Sequence, residues 1–326
     1  MKKILLVVII FSVCLISGRP LDQFPGAAIS NGLIKARLYL PDTKDGYYRG
    51  ARFDWSGVIP ELEYKGHSYF GQWFEKYNPT FHDAIMGPVE DFNPVGYDEA
   101  KTGEAFLKVG IGMIVKPEEP KYFFVNPYQI VNPGEWKIKK KPTRVEFRQT
   151  LNDKDYSYRY QKTVELIKGK PEMVLSHSLK NTGKRIIESN VYNHNFFVID
   201  KQLTSQDFVL KFPFKPMGET NGKVNFGKLE DNQIQFLRDL SPNEHLQYQS
   251  LTGFGSKAKD YDISIENHKT GAAVRITCDQ PLSKLAFWSA LKTICPEPFI
   301  HIKINPGETF TWKISYQFYT CDITNQ

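Results

Sequence analysis

Near its C-terminal end the chain reads PGETFTWKISYQF, residues 306–318, in which large apolar side chains alternate with polar ones. The apolar side chains occupy every second position and are those of Phe310, Trp312, Ile314, Tyr316 and Phe318. Successive side chains of a β-strand point to opposite faces of the sheet, so this alternation predicts a strand with one packed and one solvated face. The preceding Pro-Gly-Glu tripeptide predicts the turn that leads into it.

A second stretch, residues 156–166, has the same period of two, with Tyr156, Tyr158 and Tyr160 on one face. From residue 104 onward such strand-like runs follow one another, separated by turn signals. No sustained helical period, linker or internal repeat interrupts residues 24–320. We therefore predict a single all-β domain over residues 24–320, built from two large, packed antiparallel sheets.

Some segments are harder to interpret. The apolar runs at residues 106–115 and 122–131 each predict one strand, and residues 223–226 predict a short one. Residues 237–258 fit either a short helix or a long loop. Residues 67–103 combine many aromatic residues with Gly and Pro at poor periodicity, which fits a functional loop or lid as well as an extended hairpin over one end of a sheet.

The composition limits the class of protein. The chain has 326 residues, of which 41% are hydrophobic, 24% charged and 14% aromatic. Such values are ordinary for a globular protein, and the aromatic share favours strands and a stacking surface. The net charge is +6, but the basic residues are scattered apart from residues 137–141. No basic stripe with interleaved aromatic residues is present, so we expect no nucleic-acid partner.

The first 18 residues differ from the rest. Lys2 and Lys3 precede an apolar run over residues 4–13, and Ser17-Gly18 gives a small-residue end. This pattern predicts a secretory signal peptide over residues 1–18 and a secreted or periplasmic protein. The apolar run is short for a membrane span. We therefore expect residues 1–18 to be cleaved and the mature chain to have no stable membrane span. The alternative is that the segment is not cleaved and serves as an anchor.

Removal of residues 1–18 leaves three cysteines, Cys278, Cys295 and Cys321. Because three is an odd number, at least one thiol stays free or pairs with another chain. No pair has the spacing of a zinc finger, and no disulfide framework is indicated.

Two segments carry residues suited to proton transfer. His194 lies in NVYNHNFF, residues 190–197, and Glu297 lies between two prolines in CPEPF, residues 295–299. An imidazole and a rigidly held carboxylate suit acid–base chemistry on a neutral substrate such as a sugar. Taken alone, His194 is better explained as a core histidine with a backbone partner, and the second segment with Glu297 changes this interpretation. As a pair, we expect the two groups to face each other across a sugar-sized cleft.

These segments resemble motifs of the aldose 1-epimerase (galactose mutarotase) superfamily. Residues 193–197 resemble its Asn-His-x-Tyr/Phe-Phe/Trp motif, and residues 179–183 resemble the Asn-Thr-Gly turn before it. Residues 295–299 are similar to its Cys-x-Glu-Pro segment, and residues 306–318 to its C-terminal strand. The resemblance covers roughly residues 30–320, with the recognisable motifs in the last half.

The resemblance implies the β-supersandwich of that superfamily and a reaction that interconverts sugar anomers. In it Glu297 is the general base that takes the proton of the C1 hydroxyl, and His194 is the general acid that protonates the ring oxygen. The expected ligand is a monosaccharide or oligosaccharide. This chemistry needs no cofactor and no metal.

Five further residues are predicted to bind the substrate. Arg52 is the candidate for the sugar-binding arginine of the family, and His82 replaces a second family histidine whose Asn-His-Gly loop is absent here. Trp73 is a candidate for stacking on the sugar, as are Trp55 and Tyr97. Each of these residues also fits a structural role. The remaining candidates are Glu90 and Asn193.

Two other functions fit the same residues. One is a non-catalytic carbohydrate-binding protein on the same fold. The other is a polysaccharide lyase or hydrolase, in which Glu297 works with Glu90 or Asp91 on either side of one bond. The patterns leave open the oligomeric state, and also a divalent ion near Asp83, Glu90 or Asp91.

Overall fold

A computed structural model describes residues 23–221 and 226–323. The predicted signal peptide, and all but the last residue of the strand predicted at residues 223–226, lie outside this part of the chain. Within it the protein forms 22 strands. The first eleven are β1 Gly26–Ser30, β2 Ile34–Tyr39, β3 Val58–Tyr64, β4 His67–Ser68, β5 Gly87–Phe92, β6 Ala105–Lys108, β7 Gly112–Val115, β8 Ile130–Asn132, β9 Glu135–Lys141, β10 Arg144–Leu151 and β11 Tyr158–Leu166.

The second half of the chain contributes the other eleven. They are β12 Glu172–Asn181, β13 Ile187–Phe196, β14 Phe208–Lys211, β15 Gly227–Glu230, β16 Gln233–Phe236, β17 His245–Leu251, β18 Asp262–Asn267, β19 Ala272–Cys278, β20 Lys284–Ala290, β21 Thr293–Ile304 and β22 Thr309–Thr320. The described residues contain no α-helix, and short 3-10 turns lie at Ile199–Lys201 and Ala258–Asp260. No helix in this part of the chain is both long and apolar enough to cross a membrane.

The strands form four sheets. The largest has ten strands in the order β15-β16-β14-β18-β19-β22-β12-β11-β10-β9, and the next has five in the order β17-β20-β21-β13-β5. Two smaller sheets are β1-β2-β3-β4 and β6-β7-β8. Neighbouring strands run antiparallel. The prediction of an all-β protein with large antiparallel sheets is therefore confirmed.

The alternation at the C-terminal end produces the expected strand. In β22 the side chains of Trp312, Ile314, Tyr316 and Phe318 are buried. β22 lies between β12 and β19 in the middle of the ten-stranded sheet, where Tyr316 pairs with both Met173 and Ile276. Its apolar face joins a hydrophobic cluster that also contains residues of the five-stranded sheet.

The turn at residues 181–184 moves the chain from one large sheet to the other. β12 belongs to the ten-stranded sheet and β13 to the five-stranded sheet. The Asn181 side chain organises the turn, because its Nδ2 donates to the carbonyls of Arg185 and Ile304 at 2.8 and 2.9 Å. Its Oδ1 accepts from the Gly183 N–H at 3.0 Å. The strand with His194 thus begins at a fixed point between the two sheets.

Three segment predictions were wrong. Residues 106–115 form two strands, β6 and β7, because Gly110 adopts φ 80°, a left-handed conformation that turns the chain. Residues 122–131 are loop until β8 begins at Ile130. Residues 237–258 contain strand β17, which pairs with β20 and carries an irregularity between Tyr248 and Leu251.

Candidate active site

The five-stranded sheet brings the two predicted catalytic residues together. Tyr192 of β13 pairs with Phe299 of β21, and Phe197 pairs with Ile294 in the same register. Counting along both strands from these pairs places His194 opposite Glu297. Since side chains alternate along a strand, those of Tyr192 and His194 share one face of the sheet.

The prolines on either side of Glu297 change the pairing locally. A proline has no backbone N–H to donate to a neighbouring strand. At this point the Asn195 side chain supplies a donor, and its Nδ2 bonds the Pro296 carbonyl at 2.9 Å and the Asn193 carbonyl at 3.0 Å. The segment around Glu297 therefore stays attached to β13, and the carboxylate is held beside the histidine strand.

His194 and Glu297 are in direct contact. The distance from His194 Nε2 to Glu297 Oε1 is 3.3 Å, and their side chains are 5% and 15% exposed. The imidazole stacks on Phe196 at 3.9 Å between ring centroids. No partner for its Nδ1 is found among the described residues. The expectation of a sugar-sized gap between the two groups is wrong, because cross-strand neighbours on one face of a sheet touch.

Burial shifts the protonation of both groups. It raises the pKa of Glu297 to about 7, against the opposing effect of the positive charges of Arg52 and Lys284. Burial, aided by the positive charge of Arg52, lowers the pKa of His194 well below its ordinary value. At neutral pH the imidazole is therefore neutral, and the carboxyl group is close to its titration midpoint.

Arg52 lies beside this pair and is held on all sides. Its Nε donates to Asp91 at 3.2 Å, its Nη2 donates to the Tyr192 hydroxyl at 3.0 Å, and its Nη1 pairs with Asp83. Phe124 covers the guanidinium, with the ring centroid 4.0 Å from the central carbon. The arginine is thus a fixed positive charge next to the acid–base pair.

His82 belongs to the same surface. Its Nε2 lies 3.1 Å from Asp83 Oδ2, and both side chains are partly exposed. Arg52 pairs with the other oxygen of that carboxylate. The irregular segment over residues 69–86 therefore delivers His82 and Asp83 to the face that carries Glu297, with exposed polar atoms that can bind hydroxyl groups.

Trp73 supports this surface from within. It stacks on Phe196 at 5.0 Å, and Phe196 in turn stacks on His194, so the three rings form one column. The other two stacking candidates do not reach this face. Trp55 is buried with its Nε1 bonded to the Gly50 carbonyl, and Tyr97 is buried with its hydroxyl bonded to the Glu119 carbonyl.

With this geometry in view, we compared the chain with known proteins. No family model and no curated protein matches it. Solved structures do match over almost their whole length. An aldose epimerase homologue from C. elegans has a TM-score of 0.56 at 14% identity, covering 92% of this chain and 99% of the other. This chain has the galactose mutarotase-like fold.

Two further structures share that fold. A galactose mutarotase-like protein from Clostridium acetobutylicum has a TM-score of 0.55 at 13% identity, over 91% of this chain and 95% of the other. One from Lactobacillus casei has a TM-score of 0.53 at 14% identity, over 90% and 100%. The resemblance inferred from the motifs is thereby confirmed for the galactose mutarotase-like fold.

Glu90 and Asn193 do not lie on the face with Glu297. They pair with each other across β5 and β13, and both side chains point between the sheets. Glu90 is 0% exposed, and it accepts hydrogen bonds from His177 at 2.8 Å and Asn193 at 2.9 Å and pairs with Lys162. The prediction that these two residues contact the substrate is corrected, because the parity of the strands turns them inward.

This inward position also bears on the other functions. Glu90 cannot act with Glu297 on one glycosidic bond, since the two lie on opposite faces of the sheet. Asp91 shares the face of Glu297, but Lys108, Arg52 and Tyr192 bind its oxygens. Of the three carboxylates considered for a divalent ion, Asp83 and Asp91 pair with Arg52, and Glu90 pairs with Lys162.

The sequence did not single out several residues of this surface. Tyr192 lies two positions before His194, and the period of two indicates its place on the same face. Phe299 stacks on Tyr192 at 4.3 Å, and the Lys284 ammonium lies 5.1 Å from the Phe299 ring. Phe124 covers Arg52, and the charge of Lys284 acts on Glu297. Neither residue carries a local signal in the sequence, because only the folded chain brings it to this site.

Proposed function

We propose that this chain is a carbohydrate-active enzyme that interconverts the anomers of an aldose, with Glu297 and His194 performing the two proton transfers. The 3.3 Å contact between their side chains carries the proposal. In a cyclic aldose the C1 hydroxyl oxygen and the ring oxygen are bonded to the same carbon. An acid and a base that lie side by side can therefore each reach one of these two oxygens.

The shifted pKa values define the form of the pair that works. Below about pH 7 the two groups together hold one exchangeable proton, and burial favours its place on Glu297. In ring opening the Glu297 carboxyl protonates the ring oxygen as the bond from C1 to that oxygen breaks. Neutral His194 accepts the hydroxyl proton as the C1 carbonyl forms.

Ring closure then reverses the roles. After rotation about the C1–C2 bond, the Glu297 carboxylate removes the proton from the chain hydroxyl that attacks C1. The His194 imidazolium returns its proton to the carbonyl oxygen, which becomes the C1 hydroxyl of the other anomer. In this half-reaction Glu297 is the base and His194 the acid. The resemblance implies the other pairing of groups and oxygens, with Glu297 on the C1 oxygen and His194 on the ring oxygen; the pairing proposed here follows from the proton that burial places on Glu297. The pair ends as it began, and no cofactor takes part.

The residues around the pair orient the sugar. Asp83 and His82 offer partly exposed polar atoms for its hydroxyl groups, and Arg52 supplies a fixed positive charge beside them. The stacked rings of Tyr192 and Phe299 are largely buried and form the apolar floor of this surface. A site with polar groups beside aromatic rings suits a neutral sugar.

The test is anomer exchange on free aldoses, starting with galactose and glucose. Saturation-transfer NMR measures the exchange rate between the two anomers with and without the purified protein. Exchange above the uncatalysed rate supports the proposal. Calorimetric binding of the same sugars without added exchange contradicts it and favours the carbohydrate-binding alternative. New reducing ends or unsaturated products from polysaccharides favour the third function instead.

A further inference from the structure

A second group of reactive side chains lies in the ten-stranded sheet. Glu266 is near the end of β18, His268 is in the turn that follows, and Cys321 comes directly after β22. The hairpin turn between β18 and β19 lies against the end of β22, because the Gly271 carbonyl accepts from the Cys321 N–H at 2.9 Å. Cys321, which is distant in sequence, is thereby brought beside Glu266 and His268 at one end of the sheet.

The ligand atoms of these three residues are close together. One carboxylate oxygen, one imidazole nitrogen and the thiol sulfur all lie within 4.8 Å of one another. Glu266 Oε2 and His268 Nε2 are 3.2 Å apart. With bonds of 2.0–2.3 Å, the ligands of a tetrahedral zinc ion are about 3.3–3.6 Å apart. Two of the three atoms are therefore already at the separation that such an ion requires.

We propose that Glu266, His268 and Cys321 form a site for one Zn²⁺ ion with an open fourth position. A thiolate, an imidazole and a carboxylate together suit zinc, whereas calcium and magnesium prefer oxygen ligands alone. Among the described residues this is the one group of three or more His, Cys, Asp and Glu side chains with clustered ligand atoms. It is separate from the sugar surface and independent of the proposed reaction.

The surroundings of the three residues support the site. The Tyr319 hydroxyl donates to Glu266 Oε1 at 3.1 Å and orients the carboxylate. Metal-binding side chains are commonly held in place by such hydrogen bonds from neighbouring residues. The His268 backbone N–H is bonded to the Asp207 carbonyl at 2.9 Å, which anchors the turn. Cys321 Sγ has only a weak contact, 3.9 Å from the Asn267 carbonyl, so its side chain can rotate toward the ion.

Lys211 competes with the ion. Its Nζ lies 2.7 Å from Glu266 Oε2, and its side chain is 36% exposed. An incoming ion must displace this ammonium, which can move into solvent. We therefore expect binding to strengthen when Lys211 is removed.

The test is titration of the purified full-length chain with Co²⁺ under a phosphine reductant. Co²⁺ is the probe because a thiolate ligand produces a charge-transfer absorption that Zn²⁺ does not show. The expected result is one ion per chain with this absorption, and its loss on addition of Zn²⁺. Cys321→Ser should abolish the absorption, whereas the matched control Cys278→Ser should keep it, since Cys278 is buried elsewhere.

Two further variants sharpen the test. His268→Ala should weaken Co²⁺ binding by more than about 100-fold. Loss of a residue that only hydrogen-bonds a metal ligand already lowers metal affinity by about 10–100-fold, and His268 is itself a proposed ligand. Lys211→Met should strengthen it several-fold. Circular dichroism confirms that each variant is folded. Absence of saturable absorption in the wild-type chain, or absorption that persists in Cys321→Ser, would overturn the proposal.

Discussion

The raised pKa of Glu297 predicts that this residue destabilises the fold above neutral pH. Its pKa rises from an ordinary 4.5 to about 7 in the folded chain, mainly because of burial. The native state therefore holds the proton more tightly than the unfolded state. The stability that this provides is complete below pH 4.5 and is lost as the pH rises through about 7.

The magnitude follows from the shift. About 2.5 pKa units at 1.36 kcal/mol per unit give roughly 3 kcal/mol. The side chain is 15% exposed, so water lowers this value and we expect about 1–3 kcal/mol. Glu297→Gln keeps the size of the side chain and cannot ionise. The free energy of unfolding of the variant, minus that of the wild type, should therefore increase by about 1–3 kcal/mol between pH 4.5 and pH 8.

The assay is urea unfolding of both proteins at pH 4.5, 6 and 8, followed by tryptophan fluorescence. The difference in the free energy of unfolding isolates Glu297, because the other titrating groups are common to both proteins. Glu61→Gln is the control, since Glu61 is exposed on β3 and its replacement should produce no such trend. A difference for Glu297→Gln that is constant with pH, or that favours the wild type more at pH 8, would refute the reasoning.

Three other predictions concern the pair, the buried network and the signal. The kcat/KM for anomer exchange should decrease as the pH rises above about 7, and it should also decrease as the pH falls well below 6.5, because the pair works with one proton. Polarimetry between pH 4 and 9 measures this dependence. Activity that increases from pH 6 to pH 8 would contradict it. Lys162→Met leaves Glu90 buried without its cation and should lower the free energy of unfolding by about 3–5 kcal/mol in urea titrations, whereas Lys139→Met on the exposed side of β9 should change little. Residues 1–18 should be absent from the protein isolated from its native host, and an intact Met1 in the exported fraction, detected by mass spectrometry, would show that the signal assignment is wrong.

Strands with strict alternation could be predicted from the sequence. In β22 every second residue is large and apolar, and this local pattern alone determines which face is buried. The apolar run over residues 106–115 predicts one strand, but the left-handed conformation of Gly110 divides it into two, and the apolar pattern alone does not show this turn. β17 was missed because its alternation is broken between Tyr248 and Leu251 and its other side chains are mostly polar.

The site could be predicted only in part. His194 and Glu297 belong to short motifs, so they could be named without knowing which strands pair. The opposite orientations of Glu90 and Asp91 depend on the register of β5 against β13, which no local pattern reveals. The network of Arg52 with Asp83, Asp91 and Tyr192 joins residues up to 140 positions apart, and its geometry exists only in the folded chain.

The most direct test of the central claim measures anomer exchange and sugar binding on the same samples of wild type and Glu297→Gln. Saturation-transfer NMR gives the exchange rate, and calorimetry gives the affinity for the same aldose. The amide retains size and hydrogen bonding but cannot exchange a proton with the ring oxygen, so affinity should be nearly unchanged. The exchange rate should fall by about 10²–10⁴-fold, the contribution of one acid or base. Undiminished exchange in Glu297→Gln would contradict the assignment of proton transfer to this pair.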